Sequence, residues 1–142
     1  VSDPLQALAE MRRVTRPGGW VLALAEPDYG GRIDYPAELS ALGSLQTRAL
    51  QQQGAEVEIG RRLPSLFLKA GLSQVRSGVL GGEWQHPSSE DASLEWDVLA
   101  NDLRSQLSPS QISQYREAEA RSRRSGERLL FIPTFYTLGK VS

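Results

Sequence analysis

Cysteine is absent from the 142 residues, which excludes disulfide scaffolds, thiolate zinc sites and cysteine nucleophiles. Histidine is almost absent. His86 stands alone, too few imidazoles for a histidine-based metal site or a multi-histidine relay, so no metal ligands are expected. No apolar run approaches the roughly 18 residues of a membrane span, and the first residues lack the basic-then-apolar pattern of a signal peptide. Neither sign of charge dominates: 16 basic and 17 acidic residues leave −1. That removes the electrostatic case for nucleic acid, which needs a basic patch. Internal repeats and low-complexity tracts are also missing. What remains, 39% hydrophobic and 23% charged, is the balance of a soluble globular domain, and the length suits one compact unit. The expected setting is cytoplasmic.

The chain opens on Val1 rather than Met, and Ser2-Asp3-Pro4 reads at once as a helix start, as though a preceding part had been processed away or left out. Ser2 or Asp3 supplies the cap and Pro4 the first helical position. Leu5, Leu8, Met11 and Val14 form the apolar stripe of a helix over about 4–14, stopped by Arg16-Pro17-Gly18-Gly19. Trp20 to Ala25 is a continuous apolar run, expected of a strand covered on both faces in a parallel sheet, and ended by Glu26-Pro27-Asp28. Residues 29–36 read as a loop. Helices follow over about 37–53 and 61–70, closed by Gly54 and Gly71, and then a strand over 72–80.

Residues 90–107 read as a helix with Leu94, Val98, Leu99 and Leu103 as its stripe and Trp96 to one side, Ser88-Ser89-Glu90 serving as its cap. Ser108 and Pro109 start another charged helix to about 125, in which Ile112 and Tyr115 begin the buried face and Arg123-Arg124 belong to a solvated face. Residues 129–141 read as one strand, with Pro133 at an edge or bulge.

Candidates for chemistry cluster after the first strand. Glu26 and Asp28 stand at its carboxyl end, where ligands of open α/β sheets bind, and the same residues serve equally to terminate the strand. Tyr29, Arg32 and Tyr35 share the following loop, which either closes over a ligand or shields the sheet end. His86 reads as a surface residue. Trp84, Trp96 and Tyr115 either line an apolar pocket or pack the helical segment.

The helix ending in Arg13-Val14-Thr15-Arg16-Pro17-Gly18-Gly19, followed by Trp20–Ala25, resembles the second half of class I S-adenosylmethionine-dependent methyltransferases, in which strand five follows a hydrophobic–x–x–Pro–Gly–Gly turn. Gly60-Arg61-Arg62-Leu63 and Leu66 through Leu72 look like the approach to strand six. Phe131-Ile132-Pro133-Thr134-Phe135-Tyr136-Thr137-Leu138-Gly139-Lys140 is similar to strand seven of the small-molecule, ubiquinone-biosynthesis-like (type 11) group. The family's glycine-rich loop after strand one is not matched: Gly18-Gly19, Gly30-Gly31 and Gly81-Gly82 are isolated pairs.

The resemblance implies an α/β fold, the C-terminal part of a Rossmann-like sheet with strands in the order five, seven, six, the last antiparallel, and helices on both faces. Residues 83–128 would be a two-helix insertion serving as a substrate lid within a partial methyltransferase domain spanning 1–142. It further implies the substrate-side half of a methyltransferase acting on a small molecule. S-adenosylmethionine would be the cofactor of the intact enzyme, with none bound by this chain alone. Substrate contacts would fall to Glu26, Asp28, Tyr29, Arg32 and Tyr35. No catalytic residue is assigned, because attack on a sulfonium methyl depends chiefly on positioning. The 20–25 strand edge would pair with a missing N-terminal half or with another copy. A non-catalytic methyltransferase-like interaction module and one chain of a two-chain enzyme are the alternatives.

Overall fold

The computed structural model describes residues 3–81 and 88–142. Instead of the single compact unit expected, the chain divides into two: residues 1–28, 58–82 and 133–142 form the first, and residues 29–57 and 83–132 the second. The fold is mixed α/β, with five α-helices and antiparallel strand pairing among the described residues.

In the first unit, α1 (Pro4–Val14) starts where Asp3 accepts a hydrogen bond from the Gln6 amide at 2.9 Å, with Pro4 in the first turn. After the Pro-Gly-Gly turn, β1 (Trp20–Pro27) enters a three-stranded sheet with β3 (Ser73–Leu80) and β5 (Thr134–Lys140). The order is β1-β5-β3, and β5 runs antiparallel to both neighbours. The ladder runs on into the turn, where the Gly18 amide donates to Val141 O and the Val141 amide to Gly19 O, each at 2.9 Å. Helix α3 (Ile59–Lys69) lies on the strands, and its Leu63, Leu66 and Phe67 join Leu8, Val21, Ala70, Leu72 and Val141 in one core. Gly71, at φ 78°, closes α3 with the left-handed conformation that glycine adopts at no steric cost.

Two expectations fail here. Trp20–Ala25 is not covered on both faces: Val21 is buried, but Trp20, Leu22 and Leu24 are 47%, 48% and 56% exposed. Among the described residues no helix covers that row of β1, so the helices expected on both faces of the sheet are not found there. In α1 only Leu8 is buried, while Met11 and Val14 are exposed. The helix contacts α3, and Leu8 is the residue of the stripe that enters the shared core.

In the second unit, residues 29–36 are more than a loop. A single 3-10 turn (Tyr29–Gly31) leads into β2 (Ile33–Tyr35), which pairs antiparallel with β4 (Leu129–Phe131). The strand expected over 129–141 is thus two strands in different sheets. Pro133 has no amide hydrogen to continue a ladder, and the chain changes sheet there. Residues 37–39 form another 3-10 turn before α2 (Ser40–Gln52).

Helix α4 (Ser89–Leu103) is capped by Ser88, and α5 (Pro109–Arg124) begins with a reciprocal pair of cap bonds between Ser108 and Gln111. The stripe of α4 is corrected: Trp96, Leu99 and Leu103 are buried with Leu39, Leu42 and Ala118, whereas Leu94 and Val98 are exposed. Tyr115 packs against that cluster as expected. The helical segment does not stand apart as an insertion, because residues 29–57 build the same unit. The expectations for Trp84 and His86, for Gly82 and for Ser2 as a cap lie outside the described residues.

Candidate functional site

β1 carries an irregularity just before its end. Ala23 pairs with Thr137 and Glu26 with Phe135, so three steps along β1 match two along β5. The extra residue is accommodated by Ala25 at φ 60°, a left-handed conformation that costs a side chain about 1 kcal/mol. Strand alternation alone would put Glu26 in phase with exposed Leu22 and Leu24; the bulge moves it onto the face of Val21 and Ala23. The Glu26 carboxylate makes no hydrogen bond or ion pair with a described residue.

Asp28 is differently placed. Its buried carboxylate takes a two-point bond from Arg61, Nε to Oδ2 at 2.6 Å and Nη2 to Oδ1 at 2.7 Å, and the Arg61 amide adds a third at 3.2 Å. That hydrogen bond raises the Arg61 pKa above its ordinary value. A buried carboxylate held in this way anchors the start of α3.

Tyr29, Arg32 and Tyr35 belong to the second unit. Tyr29 is half-buried, and burial raises its phenol pKa, opposed by nearby Arg32 and reinforced by Asp102. Tyr35 is exposed on β2. Arg32 is not a surface recognition group: its side chain is 4% exposed and donates to Asp34 Oδ2 at 2.6 Å and to Oδ1 at 3.1 Å. It also donates to Gln46 Oε1, and Gln46 passes a bond on to Asp102 Oδ2 at 2.9 Å.

Sequence reasoning missed the far end of this network. Arg128 donates to Asp34 Oδ1 at 2.8 Å, to Glu119 Oε1 at 3.3 Å, to Leu129 O at 2.6 Å and to Tyr35 O at 3.2 Å. Arg123, expected on a solvated face, instead bridges Glu119 at 3.0 Å and Glu95 at 3.3 Å. Most of these partners are far apart in the chain and leave no local pattern to read; the local signals are Arg32-x-Asp34 at the start of β2 and the i,i+4 pair Glu119–Arg123 on α5.

Beside the network lies a cavity of about 270 Å³. Arg32, Gln46, Glu95, Glu119 and Arg128 form its polar side, and Trp96, Val98, Leu99, Leu130 and Ile132 its apolar side. Trp96, read as either lining a pocket or packing the helical segment, is buried in the core of the second unit and borders this cavity from there. A second, wider groove of about 610 Å³ runs past Tyr29, Arg32, Ser44, Thr47 and Arg48.

The described residues offer no fitting cradle for S-adenosylmethionine. Gly18-Gly19 leads from α1 into β1 and Gly30-Gly31 from β1 into β2, so neither pair leads from a strand into the N-terminus of an α-helix, where backbone amides would meet such a ligand. Among the described residues no group of three or more His, Asp or Glu could hold a metal ion, and no helix is long and apolar enough to cross a membrane.

No family model matches the chain. Over 74 residues, 51% of its length, the chain is 43% identical to an uncharacterized 37.1 kDa protein in transposon TN4556 of Streptomyces fradiae. The match spans 21% of that protein, so the chain is similar to a fifth of a longer polypeptide whose activity is itself undefined.

Proposed function

We propose that this chain is the substrate-side part of a class I S-adenosylmethionine-dependent methyltransferase acting on a small molecule. One observation carries the reading: the strand after the Pro-Gly-Gly turn, the last strand and the intervening strand lie side by side in the order β1-β5-β3, with β5 antiparallel. This order supports the reading, because the resemblance implies strands five, seven and six side by side with the last antiparallel. The chain's own contribution would be to bind and orient the methyl acceptor, since in-line transfer depends on alignment more than on a specialised side chain. Glu26 is the favoured contact at the end of β1, because its carboxylate has no partner among the described residues while Asp28 is held by Arg61. Tyr29 and Tyr35 are the candidates in the second unit. Arg32, locked in ion pairs, would position its neighbours.

The test is the reading frame upstream of Val1. A segment of about one hundred residues holding strand–GxGxG–helix, with an acidic residue about 20 positions later, is expected. The protein expressed from that whole frame is expected to bind S-adenosylmethionine and to lose methyl transfer, with binding retained, on Glu26→Gln. A frame without such a segment, together with no cofactor binding, would overturn the reading. The exposed row Trp20, Leu22, Leu24 on the edge strand β1 favours a second reading, an interaction module that docks through that edge.

A further inference from the structure

The two faces of the first unit's sheet differ. Helix α3 packs on the face of Val21 and Ala23. Residues paired directly across neighbouring strands share a face, so the other side can be read along the register. There Trp20 stands beside Lys140, Leu22 and Arg76 flank Leu138, and Tyr136 stands beside Gly78. Tyr136 lies across Gly78, where an added Cβ would come within 2.7 Å of its ring and its hydroxyl. With the exposed Leu24 and Leu80, these residues make a shallow apolar surface.

Its charge is of one sign. Arg76 and Lys140 are the charged strand residues on this face, and neither side chain has an ion pair with a described residue. Glu26, which simple alternation would have added here, is turned to the other face by the bulge in β1. Two such faces stacked on one another would set cations against cations. Two cations are also too few for an anionic membrane, whose attraction needs clusters of about four to eight. An acidic amphipathic partner fits both the apolar surface and the charge.

The second unit exposes such a segment. Over its 15 residues α4 carries five carboxylates and no basic side chain. Leu94 and Val98, one turn apart on it, are 61% and 63% exposed. Glu90, Asp91 and Asp97 lie three or four positions from Leu94 and so border it on the helix surface. Dimensions agree as well. The helix is about 22 Å long, and the seven residues of β5 span about 23 Å. β1 and β3 stand on either side of β5, about 10 Å apart, which is about the width of one helix.

We propose that the uncovered sheet face docks a second copy of this chain through the Leu94–Val98 face of that copy's α4, with Arg76 and Lys140 meeting the helix carboxylates. The contact joins two different surfaces, so each copy keeps one face or one helix to offer to the next. It is distinct from ladder pairing between β1 edges, in which α4 has no part. It stands whether or not the chain takes part in methyl transfer.

Sedimentation velocity on the whole chain tests the proposal. The wild-type chain is expected to associate as its concentration rises. Leu22→Asp spoils the face and Val98→Asp the helix, both at exposed positions, and each variant alone is expected to be monomeric. Mixed in equal amounts they should form a one-to-one dimer and stop there, because each retains the surface the other lacks. Association of the wild-type chain should also weaken about fivefold between about 50 and about 500 mM salt, a measurement that needs no variant to fold. A wild-type chain monomeric throughout, folded variants that stay monomeric when mixed, or association indifferent to salt would each overturn the proposal. So would association retained by Val98→Asp, which would assign it to the β1 edge. Capture of monomeric chain by phosphatidylserine vesicles would overturn it in favour of a membrane.

Discussion

Arg128 lies 94 residues beyond Asp34 in the chain, yet its Nη2 donates to Asp34 Oδ1 at 2.8 Å with both side chains 2% exposed. The same carboxylate takes Arg32 on Oδ2, so one buried anion stands between two buried cations. Burial strengthens such a network only while it is complete, because each member has been stripped of water and depends on the others for its hydrogen bonds. Asp34 and Arg128 therefore join the two stretches of sequence, 29–57 and 83–132, that make up the second unit.

Removing Arg128 tests that dependence. Arg128→Met leaves Asp34 and Glu119 each short of a buried partner and is expected to destabilise the protein by about 3 kcal/mol in urea denaturation. Arg13→Ala removes a pair with Glu10 whose members are 68% and 60% exposed, and should cost less than about 1 kcal/mol. Similar costs for the two variants would show that the buried network is not what binds the segments.

Gly60 offers a sharper steric test. A Cβ there would come within 2.7 Å of Phe135 Cδ2 and 2.8 Å of Glu26 O, and the backbone oxygen cannot swing aside. Gly60→Ala, ordinarily favourable in a helix, is expected to destabilise by about 1–3 kcal/mol, seen as a lower denaturation midpoint. A stabilised variant would mean that α3 does not press on the end of β1.

The phenol of Tyr29 gives a pH prediction. Its pKa is raised by burial above the ordinary 10.0, so the fold favours the protonated form. That contribution to stability is complete below the ordinary tyrosine range and is lost as pH climbs through the raised value. Absorbance titration of the four tyrosines should show a late-ionising component that Tyr29→Phe removes. An unchanged curve would rule out the burial described for this side chain.

On the edge strand, Trp20, Leu22 and Leu24 present an apolar row next to an unpaired ladder. Sedimentation velocity is expected to show association that grows with concentration, and Leu24→Lys should return the chain to monomer. A monomer throughout would leave the β1 edge without a self-pairing role.

Local chemistry explains which parts of this architecture were legible. Asp3-Pro4, Ser88, Ser108-Pro109 and Gly71 act on their own turn of helix, and each lies where sequence reasoning put it. The Pro-Gly-Gly turn into β1 was visible for the same reason. Burial was harder to read, since apolar spacing shows which residues share a face but not whether anything covers that face. Leu22 and Leu24 on β1, and Leu94 and Val98 on α4, are exposed despite their spacing.

The site was the least legible part. Glu26, Asp28, Tyr29, Arg32 and Tyr35 were chosen for lying after a strand, but Asp28 and Arg32 are spoken for by Arg61 and by Asp34. Pairing across 33 residues in the first case is a property of the folded chain alone. β2 escaped notice because a three-residue strand carries too little alternation to separate from a loop.

The central strand of the first unit is also its last to be synthesised. β1 and β3 each pair with β5 and not with one another, so a ribosome that has released residues 1–133 has delivered two strands with no ladder between them. Until Thr134–Lys140 emerges, the row at Trp20, Leu22 and Leu24 and the amides of both strands await a partner that is still being translated. Folding of this unit must therefore wait for β5, and a nascent chain stalled before β5 is the form most in need of a chaperone.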